Sequence, residues 1–203
     1  MKTIKITTPT GAVISINAVK DFLKIERDET EFDQDLQDII TAAVAMVESE
    51  TNTTLLTTTF AAYWDRWPLP GVPLKIPGNP VTAVNSITYK DANGSSQVWG
   101  DTSYQFSGNR SPSVVLPSPD VGSYPALQAG ALDSVEVEFV AGYGDSGDDV
   151  PELFLQMIKL LIGHWFRNRE AVLVGSISKQ IELSFVSIRN QIWQNEFTEF
   201  LEQ

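Results

Sequence analysis

Between residues 32 and 47 the apolar side chains recur at helical spacing. Phe32, Leu36, Ile39, Ile40, Ala43, Val44 and Val47 fall on one side, with Asp33, Gln34, Gln37, Asp38 and Thr41 elsewhere. That period predicts an amphipathic helix with one wet face. Upstream, Ser15 or Asn17 is placed to cap a short helix carrying Val19, Phe22, Leu23 and Ile25 on one side. Residues 3–8 and 12–16 alternate weakly around Thr8-Pro9-Thr10-Gly11, which predicts a short extended arm or hairpin. The longest apolar run lies at residues 151–171. Pro151 suits a first helical turn, Glu152 complements the positive helix end, and Asp148 or Asp149 is placed to cap it. Its apolar positions include Leu153, Phe154, Met157, Ile158, Leu161, Ile162, Trp165 and Phe166, which is more than one stripe. Such a helix is enclosed in its own domain or shared between a core and a partner chain. A last helical stretch is expected from about Ser184 to Phe200.

From Thr51 the period shortens to two and Thr, Pro and Gly become frequent. Residues 57–67 alternate, Pro-Gly clusters bracket Leu74-Lys75-Ile76, and 84–90 returns through Asp91-Ala92-Asn93-Gly94 to 97–99. Residues 104–106, 114–116 and 134–140 complete the set. In the last, Val135, Val137 and Phe139 oppose Glu136 and Glu138. The expected class is α+β: a helical domain formed by residues 1–53 and 141–203, with a small antiparallel β module inserted at 54–140.

Charge narrows the function classes. The 203 residues carry a net charge of −12, although 42% are hydrophobic and a sizeable core is available. So acidic a chain is ill suited to holding nucleic acid tightly, because that affinity comes from Lys and Arg neutralising phosphates. The charge is concentrated: Glu26 to Glu50 holds nine acids and one base, Arg27, for a net −8. Lys159 to Arg189 is locally basic, with five bases against two acids. The N-terminal residues lack an apolar signal core, and Lys159, His164 and Arg167 interrupt the long apolar run, so neither secretion nor a membrane span is expected.

Catalytic chemistry has little support. Cysteine is absent, which removes thiolate nucleophiles and Cys-based zinc sites. The single histidine, His164, has Leu160, Leu161, Arg167 and Asn168 at helical neighbour positions, none of them a second metal ligand of the usual kind, so a locally hydrogen-bonded histidine is expected. No Gly-x-Ser-x-Gly elbow occurs. Gly142-Tyr143-Gly144 precedes a helix, but Asp145, Asp148 and Asp149 would repel a phosphate. Those aspartates do not have the spacing of a calcium loop. Two alternatives stay open. One is a carboxylate-pair glycosidase. The other is a β-type binding module for carbohydrate or a virion protein, built on Trp64, Trp67, Trp99, Tyr104 and Tyr143.

The order of motifs resembles a known family. The helix ending Ala45-Met-Val-Glu-Ser-Glu-Thr-Asn52 is followed by Trp64-Asp-Arg-Trp-Pro68 and Leu74-Lys-Ile-Pro-Gly-Asn-Pro-Val81. Then come Val84 to Gly94, Val135-Glu-Val-Glu-Phe-Val-Ala-Gly-Tyr-Gly144 and His164-Trp-Phe-Arg-Asn-Arg-Glu-Ala171. The pattern, from about Ile16 to Trp193, resembles the head–tail connector (adaptor) family of tailed bacteriophages and prophages, and is similar to gene transfer agent adaptors.

The resemblance implies a structural virion neck protein without enzymatic activity or cofactor, assembled in the bacterial host cytoplasm. Its partners would be further copies in a ring (dodecameric in the virion), the portal protein above and the next neck or tail-completion protein below. DNA would pass through the channel without specific binding. A ring requires one patch to meet a different patch on the neighbour, which offers a use for surplus apolar and charged surface. The expected subunit or portal contacts are Trp165, Phe166, Arg167, Arg169, Ile192, Trp193 and Phe197. The expected acidic channel-facing or inter-subunit surface is Glu26, Asp28, Glu29, Glu31, Asp33, Asp35 and Asp38.

Overall fold

A computed structural model describes residues 2–168 and 185–192. The chain is α+β and divides into two compact units. One comprises Met1–Pro9 with Thr57–Tyr143, the other Thr10–Leu56 with Gly144–Gln203.

The first unit holds two antiparallel sheets. Strands β1 (Lys2–Lys5), β2 (Thr58–Trp64), β4 (Val81–Lys90), β5 (Ser96–Val98) and β8 (Val135–Ala141) form one, in the order β1-β2-β8-β4-β5. Strands β3 (Leu74–Lys75), β6 (Tyr104–Ser107) and β7 (Val114–Pro117) form the other, in the order β3-β7-β6. Central β8 is paired on both sides, and its alternation is the clearest in the chain: Val135, Val137, Phe139 and Ala141 are buried, while the residues between them keep partial exposure. On that other face Tyr63 donates to Glu136 (3.1 Å) and Asn85 to Glu138 (2.9 Å). Burial first, and Glu136 second, push the Tyr63 hydroxyl pKa up. The core gathers Ala62, Ile76, Ile87, Trp99 and Val115 around β8.

The N-terminal segment is the extended arm of the two expected forms, but it belongs to the β unit. It forms no hairpin and does not join the helical part. It pairs antiparallel with β2, Lys2 opposite Tyr63 and Lys5 opposite Phe60, and Ile6 donates to the Thr59 carbonyl (2.8 Å). All four β1 residues are exposed, so backbone bonding rather than core burial holds this edge strand.

The second unit packs α1 (Ile16–Leu23), α2 (Asp33–Thr51) and α3 (Glu152–Arg167), each touching the other two, with a helical segment α4 over 185–192. Ser15 caps α1, its hydroxyl accepting from the Ala18 N–H (3.2 Å). The predicted stripe of α2 is the observed one: Leu36, Ile40, Ala43 and Val47 are buried. At its end Asn52 turns left-handed (φ 53°), and the Glu48 carboxylate accepts from the Leu55 N–H (2.9 Å). The start of α3 differs from the expected cap. Asp148 and Asp149 lie in a 3-10 turn, Gly147–Asp149, where Asp149 closes a reciprocal cap with Ser146, and Pro151 occupies the cap position of α3 without a side-chain bond.

Candidate interaction surfaces

The apolar helix α3 is mainly core. Phe154, Met157, Ile158, Leu161, Ile162, His164 and Trp165 are buried, which leaves Leu153, Leu155, Leu160 and Phe166 half-buried. Each fully buried large side chain is worth ~1.5–3 kcal/mol, so most of this helix is accounted for without a second protein. His164 is buried and local, as its sequence neighbours suggested: the Asn168 amide lies 3.2 Å from its Nδ1 and donates to its carbonyl (2.8 Å).

The expected contact residues therefore separate. Trp165 is only 4% exposed and Ile192 5%, because each packs into the interior of its own unit; both are core residues. Phe166 keeps partial exposure and meets the edge of Phe32 at 6.0 Å, and Arg167 is exposed. Arg169, Trp193 and Phe197 lie outside the described residues. Nearby, Arg189 of α4 reaches Glu50 of α2 (3.2 Å), so part of the locally basic stretch is used within the unit.

The acidic segment is held in a defined shape. Lys20 of α1 is buried, and its ammonium donates to the carbonyls of Arg27 and Glu29 and pairs with Asp33. One buried cation thus ties the loop to both helices. Arg27 forks onto Asp21 through two bonds (3.0 and 2.6 Å), which lowers the Asp21 pKa and raises that of Arg27. Glu26, Asp28, Glu29, Glu31, Asp35 and Asp38 are exposed, whereas Asp33 is partly withdrawn toward Lys20. Lys20 is not marked out by the hydrophobic pattern of α1. Its signal was a lone lysine between Val19 and Phe22, and a long flexible stem can bury while its head finds carbonyls. Phe22, expected inside, is 46% exposed; its ring lies over Gly163, where an added Cβ would come within 3.2 Å.

In the β unit the aromatics pack on one another. Trp67 stacks on Tyr124 (5.0 Å) and meets Trp99 (5.1 Å), and Trp99 meets Tyr104 (5.3 Å). Trp99 is buried, and Trp64, Trp67, Tyr104 and Tyr124 pack against the same core. Burial raises the Tyr124 pKa, and its hydroxyl accepts from the Leu74 N–H (3.1 Å) and donates to the Val72 carbonyl (2.9 Å). Among the described residues no group of three His, Cys, Asp or Glu is placed to hold a metal ion, and no helix is long and apolar enough to cross a membrane.

These features define an α+β chain whose assets are surfaces: an exposed acidic segment held in shape by Lys20, the end of α3 with half-buried Phe166 and exposed Arg167, and an exposed edge strand. No family model matches the sequence, and no curated protein does. Its fold is that of chains in gene transfer agent (GTA) particles. A chain in the virion of the native particle matches with a TM-score of 0.73 at 20% identity, covering 94% of both chains. A chain in the neck of the native particle, computed with C12 symmetry, matches at 0.70 and 20% identity with the same coverage. One in the neck of the empty particle, computed with C6 symmetry, matches at 0.69 and 21%, covering 87% of this chain and 89% of that one.

Proposed function

We propose that this chain is a structural neck component of a tailed phage, prophage or GTA-like particle, a head–tail connector that works as a ring of copies. The observation that carries the reading is a fold match over 94% of both chains to a chain in a GTA neck computed with cyclic symmetry. The motif order along residues 16–193 points the same way independently. In this role the ring docks below the portal, extends the DNA channel and presents a surface to the next neck or tail-completion protein. Its contacts come from Phe166 and Arg167 at the end of α3, from Arg169, Trp193 and Phe197, and from the acidic segment. Acidic surface suits a conduit, since phosphates are not retained by it. The role is architectural, without turnover or cofactor.

The test is size-exclusion chromatography with light scattering on the full chain, alone and mixed with its portal, followed by electron microscopy of any complex. A cyclic assembly of the chain, alone or on the portal, is expected. A chain that stays monomeric at high concentration and also ignores the portal overturns the proposal.

A further inference from the structure

We infer that the β1 arm of one subunit docks on the acidic α1–α2 surface of the next. The inference rests on the ring reading and selects an inter-subunit use for the acidic segment. Three observations carry it. First, β1 buries none of its side chains, and large apolar groups stand exposed in it and just beyond it: Ile4 is 42% exposed and Ile6, the residue after the strand, 50%. Lys2 and Ile4 share one face of the strand by the two-residue period, Lys5 lies on the other, and Ile6 follows the strand directly. The arm is thus a basic, apolar strip on a chain of net charge −12.

Second, the helical unit has one exposed large hydrophobic among its described residues, Phe22, which stands four residues before Glu26 in the sequence. The bases that could neutralise that segment from within are mostly engaged. Lys20 is buried against two carbonyls and Asp33, and Arg27 is forked onto Asp21, which leaves Lys24 among exposed acids such as Glu26, Asp28 and Glu31. An exposed apolar group close in sequence to a run of exposed acids is the complement of an arm that carries exposed Ile4 and Ile6 together with two lysines.

Third, the two patches are different surfaces of the chain, so an arm that docks on the next copy in one direction makes a heterologous contact, the type that repeats head to tail and forms a ring when its rotation closes. A strand held only by backbone bonds gains little over water, because its ordering entropy nearly offsets those bonds. A second surface over Ile4 and Ile6 would secure it.

The test is a charge exchange on the full chain, with assembly followed by light scattering. K2E/K5E and E26K/D28K should each weaken assembly ~10-fold or more, and raised salt should weaken the wild type. The four changes combined should restore assembly to within a few-fold. Because the chain has no cysteine, mixing Ile4→Cys chains with Phe22→Cys chains and oxidising should give an interchain disulfide. Assembly that ignores both charge reversals, or a combined variant as weak as either pair, overturns the inference while the ring stands. A wild type that forms no ring alone or on the portal overturns both.

Discussion

Lys20 and Asp33 join α1 to the first residue of α2, with the Lys20 side chain 2% exposed and the Asp33 side chain 38%. The asymmetry decides where the energy lies. A carboxylate that open to water contributes little through pairing alone. The buried ammonium matters more, since it also serves the carbonyls of Arg27 and Glu29. Lys20→Met is therefore expected to cost about 1–3 kcal/mol, mainly from acceptors left unpaired, and Asp33→Asn under ~1 kcal/mol. Urea unfolding followed by circular dichroism gives both values. Equal losses for the two variants would show that the ion pair, not the carbonyl clamp, holds the loop.

Acid should loosen the β4–β5 turn. Asp91 accepts from the Gln97 amide (3.0 Å) and from the N–H groups of Asn93 (2.9 Å) and Ser95 (3.0 Å). These bonds, that of Gln97 foremost, lower its pKa from 3.8. A carboxylate with a depressed folded pKa contributes stability that is fully present above the unfolded value and lost as pH falls through the folded one. Wild type should thus exceed Asp91→Asn in stability near neutral pH, and the gap should close below pH 3.8. A gap of constant size across that range would remove the charge from the explanation.

Local pattern carried much of this fold and stopped where partners are distant in sequence. The α2 stripe and the β8 alternation were legible because each element repeats its own period over seven or more residues. The N-terminal strand was not, since its partner β2 lies more than fifty residues away and β1 has no buried side to reveal a register. The α3 cap was misplaced because two aspartates before a proline suit either a helix or a 3-10 turn, and Ser146 decided for the turn. At the candidate surface, composition exposed the acidic run but could not show Lys20 beneath it. Trp165 looked like surplus apolar surface because sequence does not reveal how many neighbours enclose a helix.

The aromatic cluster separates packing from recognition. Trp99→Ala should cost about 3–5 kcal/mol, the range for a buried large-to-small change. Trp67 behaves differently, since its indole Nε1 is buried without a hydrogen-bond partner among the described residues. Trp67→Phe removes that unpaired donor with part of the ring, so the two effects oppose and the net loss should stay within ~1.5 kcal/mol. Unfolding monitored by near-ultraviolet circular dichroism tests both. Glycan binding abolished by Trp99→Ala with stability unchanged would instead make the cluster a binding platform.

Two glycines in the helical unit stand where backbones approach too closely for a side chain. A Cβ on Gly11 would run into the carbonyl oxygen of Asp145, and one on Gly147 into that of Val13. Neither glycine has a positive φ, so the requirement is space rather than backbone conformation. The obstacle is main chain in both cases, which cannot swing aside as a flexible side chain does. Gly11→Ala and Gly147→Ala should each cost about 1–3 kcal/mol. Since both residues serve the same loop-to-loop approach, the double variant should lose less than the sum of the two. Gly71, which has φ +78° and nothing near its Cβ position, is the control. Gly71→Ala should cost only ~1–2 kcal/mol, from backbone strain alone, and its effect should add to that of Gly11→Ala. Full additivity between Gly11→Ala and Gly147→Ala in urea unfolding would mean that the two approaches yield independently.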